Sequence, residues 1–250
     1  MPPADVIPHG SALPADVPGP LLASGSSADV YALDDDRVLR RYRAGRDATP
    51  EVELLRHVRV HGFPAPAVLD AQGSDIVMDR LHGPTLLQAL GAGEVTIADA
   101  AQTLADLHHR LHRVPAPASW DVPADRDWPQ LGGGPVVVHL DLHPGNVILT
   151  EPGPAVVDWA NARAGTAELD TAVTAVLVAE VAVDAGGDYS QAARALLAAF
   201  LHASDVSPLA ALTDAAALRA VAPGLVAGER ELVPEAAALV RAMIDLTAHG

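Results

Sequence analysis

Residues 138–161 read VHLDLHPGNVILTEPGPAVVDWAN, and the rest of the chain is arranged around them. An apolar run, Val136, Val137 and Val138, delivers a polar loop, His139-Leu140-Asp141-Leu142-His143-Pro144-Gly145-Asn146. A second apolar run, Val147, Ile148 and Leu149, follows at once, and Glu151-Pro152-Gly153-Pro154 turns the chain. Ala155, Val156 and Val157 then return it to Asp158. Two β-rich runs joined by a Pro/Gly turn predict a hairpin. That hairpin folds Asp158 back beside Asn146 and Asp141, so three oxygen-bearing side chains converge.

Such a convergence suits phosphoryl transfer from a nucleotide. One Asp can orient an attacking hydroxyl and accept its proton, while an Asn and a second Asp hold Mg2+, a hard cation that prefers oxygen ligands. Each piece alone reads equally well as a hairpin with a polar tip. Their order and spacing together favour the chemistry. His-x-Asp-x-x-x-x-Asn, followed by an Asp after a short hairpin, resembles the catalytic and metal-binding segments of the protein-kinase fold. The variant HLDLHPGN…VVDW is similar to the aminoglycoside phosphotransferase family and its relatives, the choline, homoserine and fructosamine kinases.

Composition sets the outer limits. The 250 residues suffice for one large domain or two lobes around a sizeable core. Hydrophobic residues make up 50% and aromatics only 3%, so Leu, Val and Ala must fill that core. All 16 basic residues are Arg, set against 32 Asp and Glu, for a formal charge of −16. A nucleic acid or an anionic membrane needs a basic footprint, so neither is an expected partner. A cationic small molecule is compatible with the balance, as is an acidic surface that serves solubility. There is no Cys for a disulfide or a thiolate metal site. The N-terminus lacks a basic segment followed by an apolar stretch, and the longest apolar segment, residues 172–183, is too short to span a bilayer and contains Glu180. A cytoplasmic protein is expected.

Along the chain, residues 1–20 are rich in Pro, Ala and Asp without a period and read as a loosely ordered lead-in. Residues 21–23, 29–33 and 37–42 read as strands, the first two joined by Ser24, Gly25, Ser26 and Ser27. A helix follows from Thr49 and Pro50, with Thr49 as its cap and Val52, Leu55 and Val58 on its buried stripe. Residues 68–70 and 76–78 complete a five-stranded sheet. From Leu86 the pattern turns helical, most clearly over residues 97–112, then over an apolar helix at 171–183 and three Ala-rich helices at 189–202, 208–221 and 234–249. The Pro-, Asp- and Gly-rich connection at residues 114–134 carries Trp120 and Trp128.

The resemblance, which covers about residues 21–183, implies an α+β, protein-kinase-like, two-lobed fold. It has a small lobe with an antiparallel sheet and one helix at residues 21–80, and a larger, mostly helical lobe at 81–250. It implies ATP, with GTP as the alternative, as phosphate donor, and Mg2+ as cofactor. A hydroxylated small molecule, cationic in keeping with the charge, is the implied acceptor. Ser24, Gly25, Ser26 and Ser27 match the loop over the phosphates. Arg40 stands where the family usually has Lys; it keeps the charge but is bulkier and forked. Glu51, in preference to Glu53, is its implied partner. Met78, Arg80 and Leu81 match the hinge whose backbone meets the adenine. Asp141 is implied as catalytic base, and Asn146 and Asp158 as metal ligands. Relatives grip amines with acids from the last helices, where Asp188, Asp205, Asp214, Glu229, Glu231, Glu235 and Asp245 are available.

Three further expectations accompany these. His139 braces the catalytic loop. Asp170 is either the N-cap of the apolar helix or a brace beneath that loop. His108 and His112, four apart on one helical face, suit a metal, but the sequence places no third ligand beside them. Two rival functions remain at this level: a nucleotide-binding pseudokinase, favoured by Arg40, and a metal-dependent hydrolase using the same carboxylates.

Overall fold

A computed structural model describes residues 18–25, 27–117, 133–184, 187–222, 225 and 228–248. The lead-in at residues 1–17, Ser26, Trp120 and Trp128 lie outside the described residues. Five antiparallel strands form the first layer: β1 (Leu21–Ser24), β2 (Ala28–Ala32), β3 (Arg37–Tyr42), β4 (Val68–Gln72) and β5 (Asp75–Asp79), in the order β1-β2-β3-β5-β4. The central strand β3 alternates with its neighbours in register, Val30 opposite Arg40 and Arg40 opposite Ile76. Helix α1 (Thr49–Val60) buries Val52, Leu54, Leu55 and Val58 against the sheet. Its cap differs from expectation. Thr49 is the first helical residue, and Asp47 Oδ1 accepts from the Thr49 N–H at 3.0 Å and from its hydroxyl at 2.8 Å. The carboxylate reaches the orphan donor better than the shorter Thr side chain.

The second lobe is helical: α2 (Leu86–Ala92), α3 (Ile97–Leu111), α4 (Ala167–Asp184), α5 (Gly187–Ala203), α6 (Leu212–Ala220) and α7 (Glu229–Ala248). Thr85 and Gln88 form a capping box at the start of α2. Helix α4 is buried nearly all round, with α5, α6 and α7 packed about it, as its unbroken apolar pattern requires. It begins three residues before Asp170, so Asp170 is not its cap but points inward from the first turn. Helix α7 also starts early, at Glu229, and carries Pro234 inside it.

Two small ribbons pack on the helical lobe, β6 (Val136–Val138) with β9 (Arg163–Gly165) against α3 and α4, and β7 (Val147–Thr150) with β8 (Gly153–Val156) against α2. The segment leaving the sheet packs on β7 at Gly83, whose φ is +143°; a Cβ there would come within 2.0 Å of the Leu149 carbonyl oxygen. The Leu149 N–H donates to the Pro84 carbonyl and the Val156 N–H to the Pro64 carbonyl, both at 2.9 Å. No described helix is long and apolar enough to cross a membrane.

Candidate active site

The site is built on the loop between β6 and β7. β6 is held by β9, where Val138 faces Arg163 in register. The next two residues turn sharply. Leu140 has φ +60°, a left-handed conformation costly for a side chain of its size. Asp170 holds the turn. Its Oδ1 accepts from the Leu140 N–H at 2.7 Å and the His139 N–H at 3.1 Å, and Oδ2 lies 3.2 Å from the latter. The carboxylate is fully buried. Burial works against its charge, but the His108 and His112 rings facing it outweigh that and hold it well below the usual carboxylate range.

Beyond the turn, Asn146 ends a 3-10 turn (Pro144–Asn146). Its amide nitrogen donates to the Asp141 carbonyl at 2.8 Å and to Asp141 Oδ2 at 3.2 Å. This fixes the amide so that Oδ1 faces away from Asp141. The Gly145 N–H donates to His143 Nδ1 at 3.1 Å, and a Cβ at Gly145 would lie 2.8 Å from that ring. A side chain at this position would displace the His143 ring.

The hairpin closes as its pattern predicts, with Val147 opposite Val156. The Val157 N–H donates to the Asn146 carbonyl at 2.9 Å, which seats Asp158 beside the loop. His139 Nε2 is 3.1 Å from the Val157 carbonyl. A carbonyl only accepts, so Nε2 carries the proton. Burial pushes the His139 ring down to about 4, and it stays neutral between the loop and Trp159, 4.8 Å away between ring centroids. Its place is that of a brace. Asp158 itself has φ +61°.

Across the cleft, the Arg40 guanidinium spans two carboxylates. Nε donates to Glu51 Oε2 at 3.1 Å, and Nη2 to Asp158 Oδ1 at 2.7 Å. Glu51 is buried and also accepts from the Tyr42 hydroxyl, whereas Glu53 is exposed. Burial opposes charge on Arg40 and on Asp158 alike. On Arg40 the charges of Glu51 first and then Asp158 outweigh it and push the guanidinium up; on Asp158 the Arg40 charge outweighs it and holds the carboxyl down. Asp141 behaves oppositely. Burial first, then the Asp158 charge, raise its carboxyl to about 7, against the lowering effects of Arg219 and the Asn146 hydrogen bond. Two carboxylates in one pocket are thus driven apart, one ionised and one poised to exchange a proton near neutrality.

The other matched positions lie in the sheet and at its edges. At the β1–β2 turn, Gly25 N–H donates to the Ala28 carbonyl at 2.9 Å, and the Arg43 N–H to the Ser27 carbonyl at 2.9 Å. The Ser24 hydroxyl donates to Asp29 Oδ1 at 2.8 Å and accepts from Arg43 Nη2 at 2.6 Å. At the hinge, Met78 is part of β5, opposite Val38. The Arg80 N–H is taken by the Asp36 carbonyl at 2.8 Å, which leaves the backbone of Leu81 as the freer edge of the hinge among the described residues.

Two residues escaped the sequence reading. Arg219 of α6 clasps both oxygens of Glu180 in α4, with Nε 3.0 and 3.1 Å from Oε1 and Oε2 and Nη2 3.0 Å from Oε2. Both charges act on Asp141. Glu180 was detectable as the one acid within the apolar run at residues 171–183; Arg219 carried no local signal. Burial raises the Glu180 carboxyl, Arg219 opposes this, and Glu229 adds to the rise.

The chain matches the model of the phosphotransferase enzyme family over residues 19–131 and 120–217. No curated protein matches it significantly in sequence. Solved structures share its fold at low identity. The aminoglycoside phosphotransferase APH(2'')-Ib, bound to ADP, is 16% identical with a TM-score of 0.55, over 88% of this chain and 91% of that one. A choline/ethanolamine kinase family protein from Mesorhizobium loti is 16% identical with a TM-score of 0.53, over 93% and 91%. The amicoumacin kinase hAmiN, in complex with AMP-PNP, Ca2+ and Ami, is 14% identical with a TM-score of 0.57, over 91% and 88%.

Proposed function

Since the chain belongs to the phosphotransferase enzyme family, we propose that it moves the γ-phosphoryl group of ATP to a hydroxyl of a small molecule, with Asp141 as base. The observation that carries this reading is the Arg40 fork joining Glu51 to Asp158 across the cleft, a short step from the Asp141–Asn146 pair. Residues 21–80 form the nucleotide lobe and 81–250 the acceptor lobe in this reading. The ADP and AMP-PNP bound by two structural neighbours support a nucleotide donor; GTP is the alternative.

The donor set fits Mg2+. Asn146 presents an amide oxygen, its NH2 already committed to Asp141, and Asp158 brings a carboxylate that Arg40 and the Ala160 N–H hold in its ionised form. Both are hard oxygen donors, as Mg2+ requires. When bound, the ion neutralises charge on the phosphates. Arg40, steadied by Glu51, then faces the α/β-phosphates, and Ser24, Gly25, Ser26 and Ser27 cover them. Asp141 takes the proton of the acceptor hydroxyl as its oxygen bonds to phosphorus; the bond to the β-phosphate oxygen breaks and ADP leaves. Positioning and charge supply most of the rate.

For the acceptor, Asp141, Glu180 and Glu229 make a mostly acidic neighbourhood, which favours an amine. Arg219 already satisfies Glu180, which favours a small hydroxylated amine over a polycation. The second reading, nucleotide binding without transfer, is favoured by the Arg40–Asp158 contact at 2.7 Å, because it occupies a metal-ligand oxygen.

The test is melting temperature with Mg·ATP or Mg·GTP, for the wild type and Asp158→Ala. A ligand at about a hundred times its dissociation constant adds about 2.7 kcal/mol, and in a domain of this size that is a shift of several degrees. A shift that needs Mg2+ and vanishes in Asp158→Ala is expected. No shift with either nucleotide would remove the kinase reading, and a shift without phosphorylation of any hydroxylated amine would favour the second.

Asp141 also sets a pH dependence. With its carboxyl raised to about 7, kcat/KM for the free enzyme should climb with pH along a limb near 7, because the base must be unprotonated. A limb at pH 4–5, where an ordinary carboxylate titrates, would contradict the assignment.

A further inference from the structure

Beneath the catalytic loop, α3 and α4 bring together three side chains that the phosphoryl-transfer chemistry does not use. His108 Nδ1, His112 Nε2 and Asp170 Oδ2 form a triangle with edges of 3.5 Å between the two rings, 3.5 Å from His108 to Asp170 and 3.0 Å from His112 to Asp170. A single point lies about 2 Å from all three, the distance at which nitrogen and carboxylate oxygen bind Zn2+. The cluster is shut from solvent: side-chain exposure is 3% for His108, 7% for His112 and 0% for Asp170.

Hydrogen bonding fixes which atoms carry lone pairs. The Thr174 hydroxyl has one hydrogen, and it goes to the Leu142 carbonyl at 2.7 Å. His108 Nε2, 2.9 Å from that same hydroxyl oxygen, must therefore donate. With Nε2 committed, His108 Nδ1 faces Asp170 Oδ2 at 3.5 Å, beside His112 Nε2 at 3.0 Å from the same oxygen. This face is completed by a positive centre on Nδ1, which a proton or a metal ion supplies, and the triangle has the size of a metal site. The surroundings also fit what metal-binding groups need: the far nitrogen of His108 is anchored through Thr174, and Asp170 Oδ1 is anchored by two backbone N–H groups. The one group without an anchor is His112 Nδ1, which has no partner whether or not it carries the ring proton.

We propose that His108, His112 and Asp170 form a structural site for a Zn2+-like divalent transition ion, distinct from the Asn146–Asp158 pair, which locks α3 to α4 and pins the carboxylate that shapes the catalytic loop. To bind, His112 shifts its ring proton from Nε2 to Nδ1 and gives up its hydrogen bond to Asp170 Oδ2; three protein–metal bonds form, a water is the fourth ligand, and no other covalent bond changes. Two nitrogens and one oxygen suit Zn2+ or Co2+ better than Mg2+.

The full chain, stripped with a chelator, is titrated with Co2+ alone and then with Zn2+, without Mg2+ or nucleotide. The expected result is one equivalent bound, a visible Co2+ spectrum of tetrahedral intensity, displacement by Zn2+, and a rise in melting temperature of several degrees. Asp158→Ala should behave as wild type, while His108→Gln and His112→Gln should lose at least tenfold in affinity. Weak octahedral Co2+ bands in the wild type would overturn the proposal, as would less than half an equivalent bound. So would loss in Asp158→Ala with retention in the His variants, which would assign the ion to the catalytic cleft. If a His variant does not fold, the Co2+ spectra of wild type and Asp158→Ala decide alone. A cluster held together by hydrogen bonds alone binds no ion and gives the second pattern.

Discussion

Asp141→Asn is expected to lower turnover by about a hundredfold to ten-thousandfold, the range removed with a general base. Melting-temperature shifts with Mg·ATP should stay within a degree or two of wild type. The substitution keeps the shape of the side chain and an acceptor oxygen for Asn146, which bonds Asp141 through both its carbonyl and its Oδ2. What it removes is the capacity to take a proton. Stability should move the other way. The folded-state pKa of Asp141 is about 7, above its ordinary value of 3.8. The folded protein therefore holds this proton more tightly than the unfolded chain does. Its stabilising contribution is complete below the unfolded value and is lost as pH rises through about 7. Above that, the wild type carries a buried, repelled charge costing at most about 4 kcal/mol, on the scale of 1.36 kcal/mol per unit of pKa. Nucleotide-free Asp141→Asn should consequently melt higher than wild type at pH 8 and gain little at pH 4. A residue that merely shaped the loop would lose stability on substitution at both pH values. Turnover near the wild-type rate in the Asn variant would remove Asp141 from the role of base.

Asp170→Ala should be the most damaging single change to the fold. It leaves the buried His139 and Leu140 N–H groups without their acceptor, at about 1–3 kcal/mol each. It also releases Leu140 from a left-handed conformation that is itself unfavourable by about 1–3 kcal/mol. A loss of about 3–5 kcal/mol is expected, a fall of about 10 °C in melting temperature. Asp170→Asn retains one carbonyl oxygen for the two backbone donors and should fall between wild type and Ala. The carboxylate is held well below its ordinary range, so its contribution is present above the unfolded value near 4 and disappears as pH falls. Thermal melts of the three proteins from pH 4 to 8 check both statements. Equal stability of Ala and Asn would mean that the loop is held by something other than this acceptor.

The order of strands and helices was legible in residue pattern, because each element's signals are local. The run from Leu21 to Asp79 gives five strands and one helix, close to where the alternation, the Asp-rich turn and Thr49-Pro50 put them. The hairpin that returns Asp158 was written in two β-branched runs and a Pro/Gly turn, and Val147 does stand opposite Val156. By itself the sequence determined that Asp141, Asn146 and Asp158 share one loop and one hairpin, since all three lie within 18 residues of each other.

Contacts between distant segments were decided only by the tertiary structure. Arg40 is 118 residues from Asp158 and His112 is 58 from Asp170, and no local pattern says which carboxylate a cation or an imidazole will meet. The choice of Glu51 over Glu53 was settled by which face of α1 turned inward, and Asp170 became a brace because α4 begins a turn earlier than its apolar run. Arg219 could not be seen as a neighbour of Asp141 until α6 had packed on α4. Charge and burial depend on that packing, and so does the rise of Asp141 toward neutrality, which no inspection of its flanking residues reveals: local periodicity fixes elements, while proton affinity is set by everything within reach in three dimensions.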